Sequence, residues 1–250
     1  MPRAELHFHL LPGVDDGPAT MDQTVDLARA AVAEGTSVVV ATPHVSTGFP
    51  TIVGDLPERV REVQERLDRD GIPLALRCGA EIGHDIVAQL RQGDLETVAS
   101  GPPGSRWVLL ESPFEGFGAE FEAAADELRD RGFGIVLAHP ERSPGALDDG
   151  AATLRRERSC GTLLQVNAWS LLGGHGEGSR DAAERLVGGG WASILASDAH
   201  GGWRLPALDQ GIGALVALGH DPRAARRLTD NRPAQLLERG LDPVEAALAA

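Results

Sequence analysis

One phrase repeats along the chain: a helical stripe of apolar residues, a glycine, a short apolar run, and then a polar residue. Residues 20–34 open with Thr20 and Gln23 at capping-box spacing, put Val25, Ala28 and Val32 on one helical face, and stop at Gly35. Residues 37–41 follow as a strand leading to His44. The stripe Val60, Val63 and Leu67 ends at Gly71 and hands over to Leu74, Ala75 and Leu76, with Glu81 beyond them. Phe121, Ala125 and Leu128 precede Gly132 and the run Ile135 to Ala138, which delivers His139. Gly161 and Gly190 stand at the same place before residues 163–166 and 192–196.

Counting the runs at Leu6, Val39, Leu76, Trp107 to Leu110, Ile135 to Ala138, Leu163 to Val166 and Ile194 to Ala196 gives seven strands, nearly all alternating with helices. Short continuous apolar runs between helices are the mark of parallel strands covered on both faces. The expected fold is α/β, a single-domain distorted (β/α)7 TIM-like barrel over residues 1–250, because a barrel brings the residues just past its strand ends onto one face. An open doubly wound sheet would spread those ends along a line. Residues 46–56, 101–106, 112–118, 143–150 and 173–178 are expected rim loops, where substrate is selected.

Composition narrows the chemistry. With 250 residues, 42% of them hydrophobic, the chain can bury a large core. A formal net charge of −14 argues against nucleic acid as a stable partner and against an anionic membrane surface. No apolar stretch has the length of a membrane span, so no membrane insertion and a cytoplasmic location are expected. All 23 basic residues are arginine, and tyrosine is absent. A cationic phosphate contact must then come from arginine, and a Schiff base, a P-loop lysine or a carboxylated lysine bridging two metals is excluded. Cys78 and Cys160 are too few for a disulfide framework and are expected to be free thiols, Cys78 packed in the core.

The polar residues that follow the runs are mostly histidines and acids: His7, His9, His44, Glu81, Glu111, His139, Asp198 and His200. Side chains at i and i+2 of a strand share a face, so His7 and His9 can bind one ion. Mixed imidazole and carboxylate donors suit manganese, iron or zinc, and the lack of cysteine ligands argues against a structural zinc. Two or three divalent ions are expected. Glu81 can bridge neighbouring ions, and metals about 3.5–4 Å apart activate a bridging hydroxide and stabilise both sides of an in-line displacement. Asp15 is expected to serve as a turn residue before Gly17. Glu141 and Asn167 are expected to support the site, and His84, His175 and His220 to stand outside it.

The strings HFHLLPGVDDGP, ATPH, GAEI, AHPER, LLQVNAWSLLG and ASDAH, with the strand end at Glu111, occur in order from residue 7 to residue 200. In them the chain resembles the polymerase-and-histidinol-phosphatase (PHP) superfamily of metal-dependent phosphoesterases, and within it the bacterial capsule-type manganese-dependent tyrosine phosphatases. The resemblance implies three ions on a seven-stranded barrel, with Mn2+ expected and iron or zinc as alternatives. One ion falls to His7, His9, Glu81 and Asp198, a second to Glu81, Glu111 and His139, and a third to Asp16, His44 and His200. Arg142 resembles the family arginine that grips the substrate phosphate, and Arg204 is a second candidate with its spacing slightly shifted. Arg142, Asp198 and His200 are the expected catalytic residues. The chain departs from the family pattern at Glu5, where an aspartate is usual, at Phe8, where a small or polar residue is common, and at Val45, where many members carry a second histidine.

The expected activity is that of a metal-dependent phosphomonoester hydrolase, a protein-tyrosine phosphatase acting on phosphorylated protein through a metal-bridging hydroxide. No phosphocysteine is expected, because the sequence lacks a C-x5-R nucleophile loop: Cys160 is followed by Gln165 and Val166 where an arginine would stand. The alternative is a small-molecule phosphatase or phosphodiesterase acting on a small phosphoester such as histidinol phosphate or a nucleotide. An amidohydrolase would need the missing lysine, and a non-enzymatic metal-binding module is the remaining rival.

Overall fold

The computed structural model describes residues 3–241. Its strands are β1 (Arg3–Phe8), β2 (Thr36–Ala41), β3 (His44–Val45), β4 (Ala75–Cys78), β5 (Glu81–Ile82), β6 (Trp107–Glu111), β7 (Gly134–Ala138), β8 (Leu163–Asn167) and β9 (Ala192–Ala196). Every pairing between them is parallel. The helices are α1 (Met21–Ala33), α2 (Leu56–Arg69), α3 (Gln92–Val98), α4 (Ala119–Asp130), α5 (Ala152–Ser159), α6 (Ala168–Leu171), α7 (Glu177–Gly188), α8 (Leu208–Ala217), α9 (Pro222–Arg226) and α10 (Arg232–Arg239). The α/β class with parallel strands is as expected.

Among the described residues there are nine strands rather than seven, because two of the expected runs are interrupted. β2 and β3 are one run broken at Thr42 and Pro43, and Pro43 has no N–H to give to a ladder. β4 and β5 are broken at Gly79 and Ala80. A Cβ on Gly79 would lie 2.5 Å from Val40 Cγ1 and 3.3 Å from the Ala41 oxygen, so only glycine permits this approach. The breaks divide the strands into two sheets, ordered β1-β2-β4 and β3-β5-β6-β7-β8-β9. Gly79 N to Ala41 O and Glu81 N to Pro43 O, both 3.0 Å, bond across the breaks. At the other side, Asp198 N donates to His7 O at 3.1 Å and His9 N to Ala199 O at 2.9 Å.

Alternate strand residues divide between two apolar clusters. Leu6, Val40, Trp107, Leu109, Val136 and Ile194 belong to the smaller one, which Leu236, Leu237 and Leu241 complete. Trp107 Nε1 donates to the Leu236 carbonyl at 3.2 Å. Val39, Leu110, Leu137, Val166 and Leu195 belong to the larger cluster with the helices. β1 departs from strict alternation: its register against β2 shifts between Glu5 and Phe8, so Leu6 joins the smaller cluster and Phe8 the larger.

The helices form where the stripes predict them. α1 buries Val25, Leu27, Ala28 and Ala31, and α2 buries Leu56, Val60, Val63 and Leu67. Thr20 Oγ1 accepts from Gln23 N at 3.3 Å as the capping box requires, but Gln23 Oε1 accepts from Ala19 N instead of Thr20 N. Of the helices after β9, α9 starts where Asp221 and Pro222 stand together, and the Asp221 side chain accepts from Ala224 N at 2.9 Å. Among the described residues no helix is long and apolar enough to cross a membrane. Cys78 and Cys160 are free thiols, the first half-buried rather than fully packed in the core, the second exposed.

Candidate metal centre

Strand ends deliver the expected residues to one place. His7 lies near the end of β1 with His9 just beyond, His44 and Glu81 begin β3 and β5 past the two breaks, and Glu111 ends β6. His139 follows β7, Asp198 and His200 follow β9, and Asp16 comes from the segment between β1 and α1.

His7, His9, Glu81 and Asp198 form the tightest group, and all four are buried. His7 Nε2 is 3.2 Å from His9 Nε2, 3.0 Å from Glu81 Oε2 and 3.2 Å from Asp198 Oδ1. His9 Nε2 is 3.2 Å from Glu81 Oε2 and 3.4 Å from Asp198 Oδ1. Five edges of that length, with the two carboxylate oxygens within 4.8 Å of each other, leave a centre roughly 2–2.4 Å from each donor, near the coordination distance of a first-row divalent ion.

The partners behind the imidazoles fix where their lone pairs point. Gln165 Oε1 lies 2.9 Å from His7 Nδ1, and Asp15 Oδ2 lies 2.6 Å from His9 Nδ1. Both are acceptors, which keeps the proton on Nδ1 and leaves a lone pair on Nε2. Two such lone pairs 3.2 Å apart repel unless a cation stands among them. Glu81 Oε2 has three imidazole nitrogens within 3.2 Å yet no hydrogen bond to any. The donor set fits a divalent metal.

Two further groups share these residues. His9, Asp16, His44 and His200 converge, with His44 Nε2 3.5 Å and His200 Nε2 3.2 Å from Asp16 Oδ1. His44, Glu81 and Glu111 form the other, His44 Nδ1 lying 3.2 Å from Glu81 and 3.9 Å from Glu111. The expected grouping changes in two places: His44 stands beside Glu111 where His139 is expected, and His9 joins the Asp16 group. His139 Nε2 contacts the opposite carboxylate oxygen of Glu81, Oε1, at 2.8 Å. Glu81 thus spans the site, one oxygen toward His139 and the other toward three histidines.

Burial raises the pKa of Glu81 and Asp198, but the surrounding histidines, His7 first, hold both well below the usual carboxylate range. Glu111 is pushed up to about 9 by burial and by the charge of Glu81. Burial also opposes a charged His9, yet the bond to Asp15 and the carboxylates of Asp198 and Glu81 beside it hold it well above the imidazole range. Burial and the nearby Arg142 lower His139 to about 4. The shifts of His9 and Glu111 share a surplus of carboxylate charge around them, which a proton or a divalent ion compensates.

Arg142 Nη1 donates to Asp198 Oδ2 at 3.1 Å, and its guanidinium sits 4.8 Å over the Phe114 ring. Arg204 lies 3.5 Å from Asp198 Oδ1 and 3.8 Å from Asp16 Oδ2, against the His200 ring. Both arginines line a cleft of about 390 Å³ together with Asp16, His44, Glu81, Glu111 and His139. His139 and Asp198 take left-handed backbone conformations, φ 34° and 50°, which L-residues adopt under constraint.

Sequence reasoning misses one residue and undervalues two. Gln165 is the one missed; its signal is a polar residue inside the apolar run of β8, which demands a buried partner. Asp15 makes the expected turn through Gly17 N at 2.9 Å, but its other oxygen holds both His9 and the His44 N–H. Glu5, in place of the usual aspartate, accepts from the Ser197 N–H at 3.0 Å and from its hydroxyl, pinning the residue before Asp198. Asn167 and Glu141 are supports as expected: Asn167 Nδ2 donates to Asp198 at 2.8 Å, and Glu141 accepts from Asn167 N and Ser170 Oγ, both at 2.8 Å. His84 begins the 3-10 turn His84–Gln89 and packs on Phe121, while His175 bonds Ser170.

Residues 3–238 match the family described as capsular polysaccharide synthesis, CpsB/CapC. The tyrosine-protein phosphatase YwqE of Bacillus subtilis (strain 168) is 30% identical over 200 residues, covering 78% of this chain and 76% of that protein. The putative tyrosine-protein phosphatase CapC of Staphylococcus aureus is 29% identical over 197 residues, again covering 78% and 76%. A chain from the crystal structures of YwqE from Bacillus subtilis and CpsB from Streptococcus pneumoniae, described as metal-dependent tyrosine phosphatases, superposes with a TM-score of 0.81 at 27% identity over 94% of both chains.

Proposed function

The chain belongs to the capsular polysaccharide synthesis CpsB/CapC family, and from that premise we propose that it is a metal-dependent protein-tyrosine phosphatase. The observation that carries this reading is the buried tetrahedron of His7, His9, Glu81 and Asp198, with donors 3.0–3.4 Å apart and Arg142 bonded to one corner. In this reading residues 1–250 act as one domain. The two sheets, bonded across the Pro43 and Gly79 breaks and again at His7 and His9, form one distorted barrel of seven strand units.

His7, His9, Glu81 and Asp198 would hold one ion; His44, Glu81 and Glu111, with His139 on the far oxygen of Glu81, a second; and His9, Asp16, His44 and His200 a third. Manganese suits these mixed donors, and iron or zinc is accepted by the same set. Bound there, the ions supply a nucleophile from water at neutral pH and positive charge for an in-line displacement. The chain's own residues supply the rest. Asp15 and Gln165 aim the imidazoles, and Asn167 and Arg142 hold Asp198. A guanidinium has five N–H donors in a planar fork. Arg142 presents that fork to the cleft, where it binds phosphate oxygens and the charge developing on them, and Arg204 adds a second cation. Phosphotyrosine on a protein is the substrate.

The test counts metals in the purified protein and compares turnover of a phosphotyrosyl peptide, histidinol phosphate and a nucleotide diester. Peptide hydrolysis that a chelator abolishes and Mn2+ restores is expected, with Arg142→Ala lowering kcat about 10²–10³-fold. Robust hydrolysis of another ester without peptide dephosphorylation overturns the tyrosine assignment. Metal-loaded protein that is inactive on every ester with several divalent ions overturns the enzyme.

A further inference from the structure

Two phenylalanines on separate loops line the cleft that holds Arg142 and Arg204. Phe49, past β3, stacks on His44 with ring centroids 4.8 Å apart and planes at 17°. Phe114, past β6, stacks on His139 at 5.9 Å and 22°, and carries the Arg142 guanidinium over its face. His44 and His139 contact opposite oxygens of Glu81, so the two rings flank the cluster on different sides. Neither position is loose. Phe49 N and O bond Ser46 O and N at 3.2 and 3.1 Å, and Thr51 Oγ1 donates to His44 O at 2.8 Å. Ser112 Oγ donates to Ala138 O at 2.5 Å just before Phe114, a residue nonetheless 47% exposed.

We infer that Phe49 and Phe114 are the residues by which this enzyme prefers aryl to alkyl phosphate esters, through contact with the phenyl ring of phosphotyrosine. The inference rests on the phosphatase reading above. In phosphotyrosine a six-carbon ring separates the phosphate from the chain, so a phosphate seated on Arg142 leaves that ring at the height of the cleft rim. Phosphoserine has one methylene there and offers the rim nothing to grip. Paired aromatic rings add attraction beyond the area they bury.

The experiment measures inhibition by phenylphosphonate and methylphosphonate, together with kcat/KM on one peptide carrying phosphotyrosine or phosphoserine. It compares the wild-type protein with Phe49→Leu, Phe114→Leu and Phe114→Tyr. Leucine keeps the apolar bulk and removes the ring; tyrosine keeps the ring for Arg142 and substrate alike. Each leucine variant should weaken phenylphosphonate about 3- to 10-fold and leave methylphosphonate within about twofold, while Phe114→Tyr keeps the wild-type ratio. The tyrosine-to-serine preference should fall by the same factor. Equal weakening of both phosphonates, or no change in either, overturns the inference while wild-type activity on phosphotyrosine leaves the phosphatase reading standing. A wild-type protein inactive on the phosphotyrosyl peptide sinks that reading first and this inference with it.

Discussion

Asp15 and Gln165 decide where two imidazoles point without joining the cluster themselves. Removing Asp15 by an alanine substitution deprives His9 of its acceptor and His44 of the partner for its N–H. Metal affinity should then fall about 10- to 100-fold with kcat at saturating metal largely kept, as a chelator-competition titration would read out. Unchanged affinity would leave Asp15 a turn residue and nothing more. The histidines and acids of the cluster are legible in the sequence because such residues at strand ends carry a residue-type signature. Asp15 is not, because the following glycine already accounts for it as a bend, and Gln165 is not, because nothing along the chain says which group faces it. Cys78 gives a second residue-scale expectation. Burial pushes its thiol up to about 11, and only the thiolate reacts, so at pH 8 roughly one molecule in a thousand is reactive. Alkylation of Cys78 should accelerate about tenfold per pH unit toward 11, with the exposed Cys160 modified first at pH 8. Peptide mapping after iodoacetamide checks this, and equal rates at pH 8 would contradict it.

At the scale of elements, the interruptions in the second and third runs bring His44 and Glu81 in register, paired across β3 and β5. Gly79→Ala forces a methyl against Val40, and should cost about 1–3 kcal/mol in urea unfolding while weakening metal binding through Glu81. Leu67→Ala, on the fully buried face of α2, should cost about 2–5 kcal/mol and leave kcat unchanged. A Gly79→Ala protein of normal stability and metal affinity would mean the strands can part without harm. The seven runs are readable because each is a short apolar stretch after a glycine. The split into separate sheets is not, since it depends on how near Val40 comes to a residue nearly forty positions away. α10 escapes for a different reason: Leu236 and Leu237 are adjacent, and so brief an apolar pair has no period to distinguish helix from strand.

For the whole molecule, the carboxylates gathered at strand ends tie folding to cation binding. Metal at a hundredfold excess over its Kd should add about 2.7 kcal/mol to unfolding, because only the folded chain assembles the site. Calorimetric scans with Mn2+ and with chelator should show the melting temperature fall on metal removal; coincident scans would deny the coupling. The left-handed backbone at His139 and Asp198 has a further consequence, for descent. Such conformations cost on the order of 1–3 kcal/mol each, and glycine relieves them. Glycine at either position would relieve that cost and remove a side chain from the cluster in the same step. Were selection to act on folding alone, these two positions would be the first to drift to glycine, and the cluster would be lost from there.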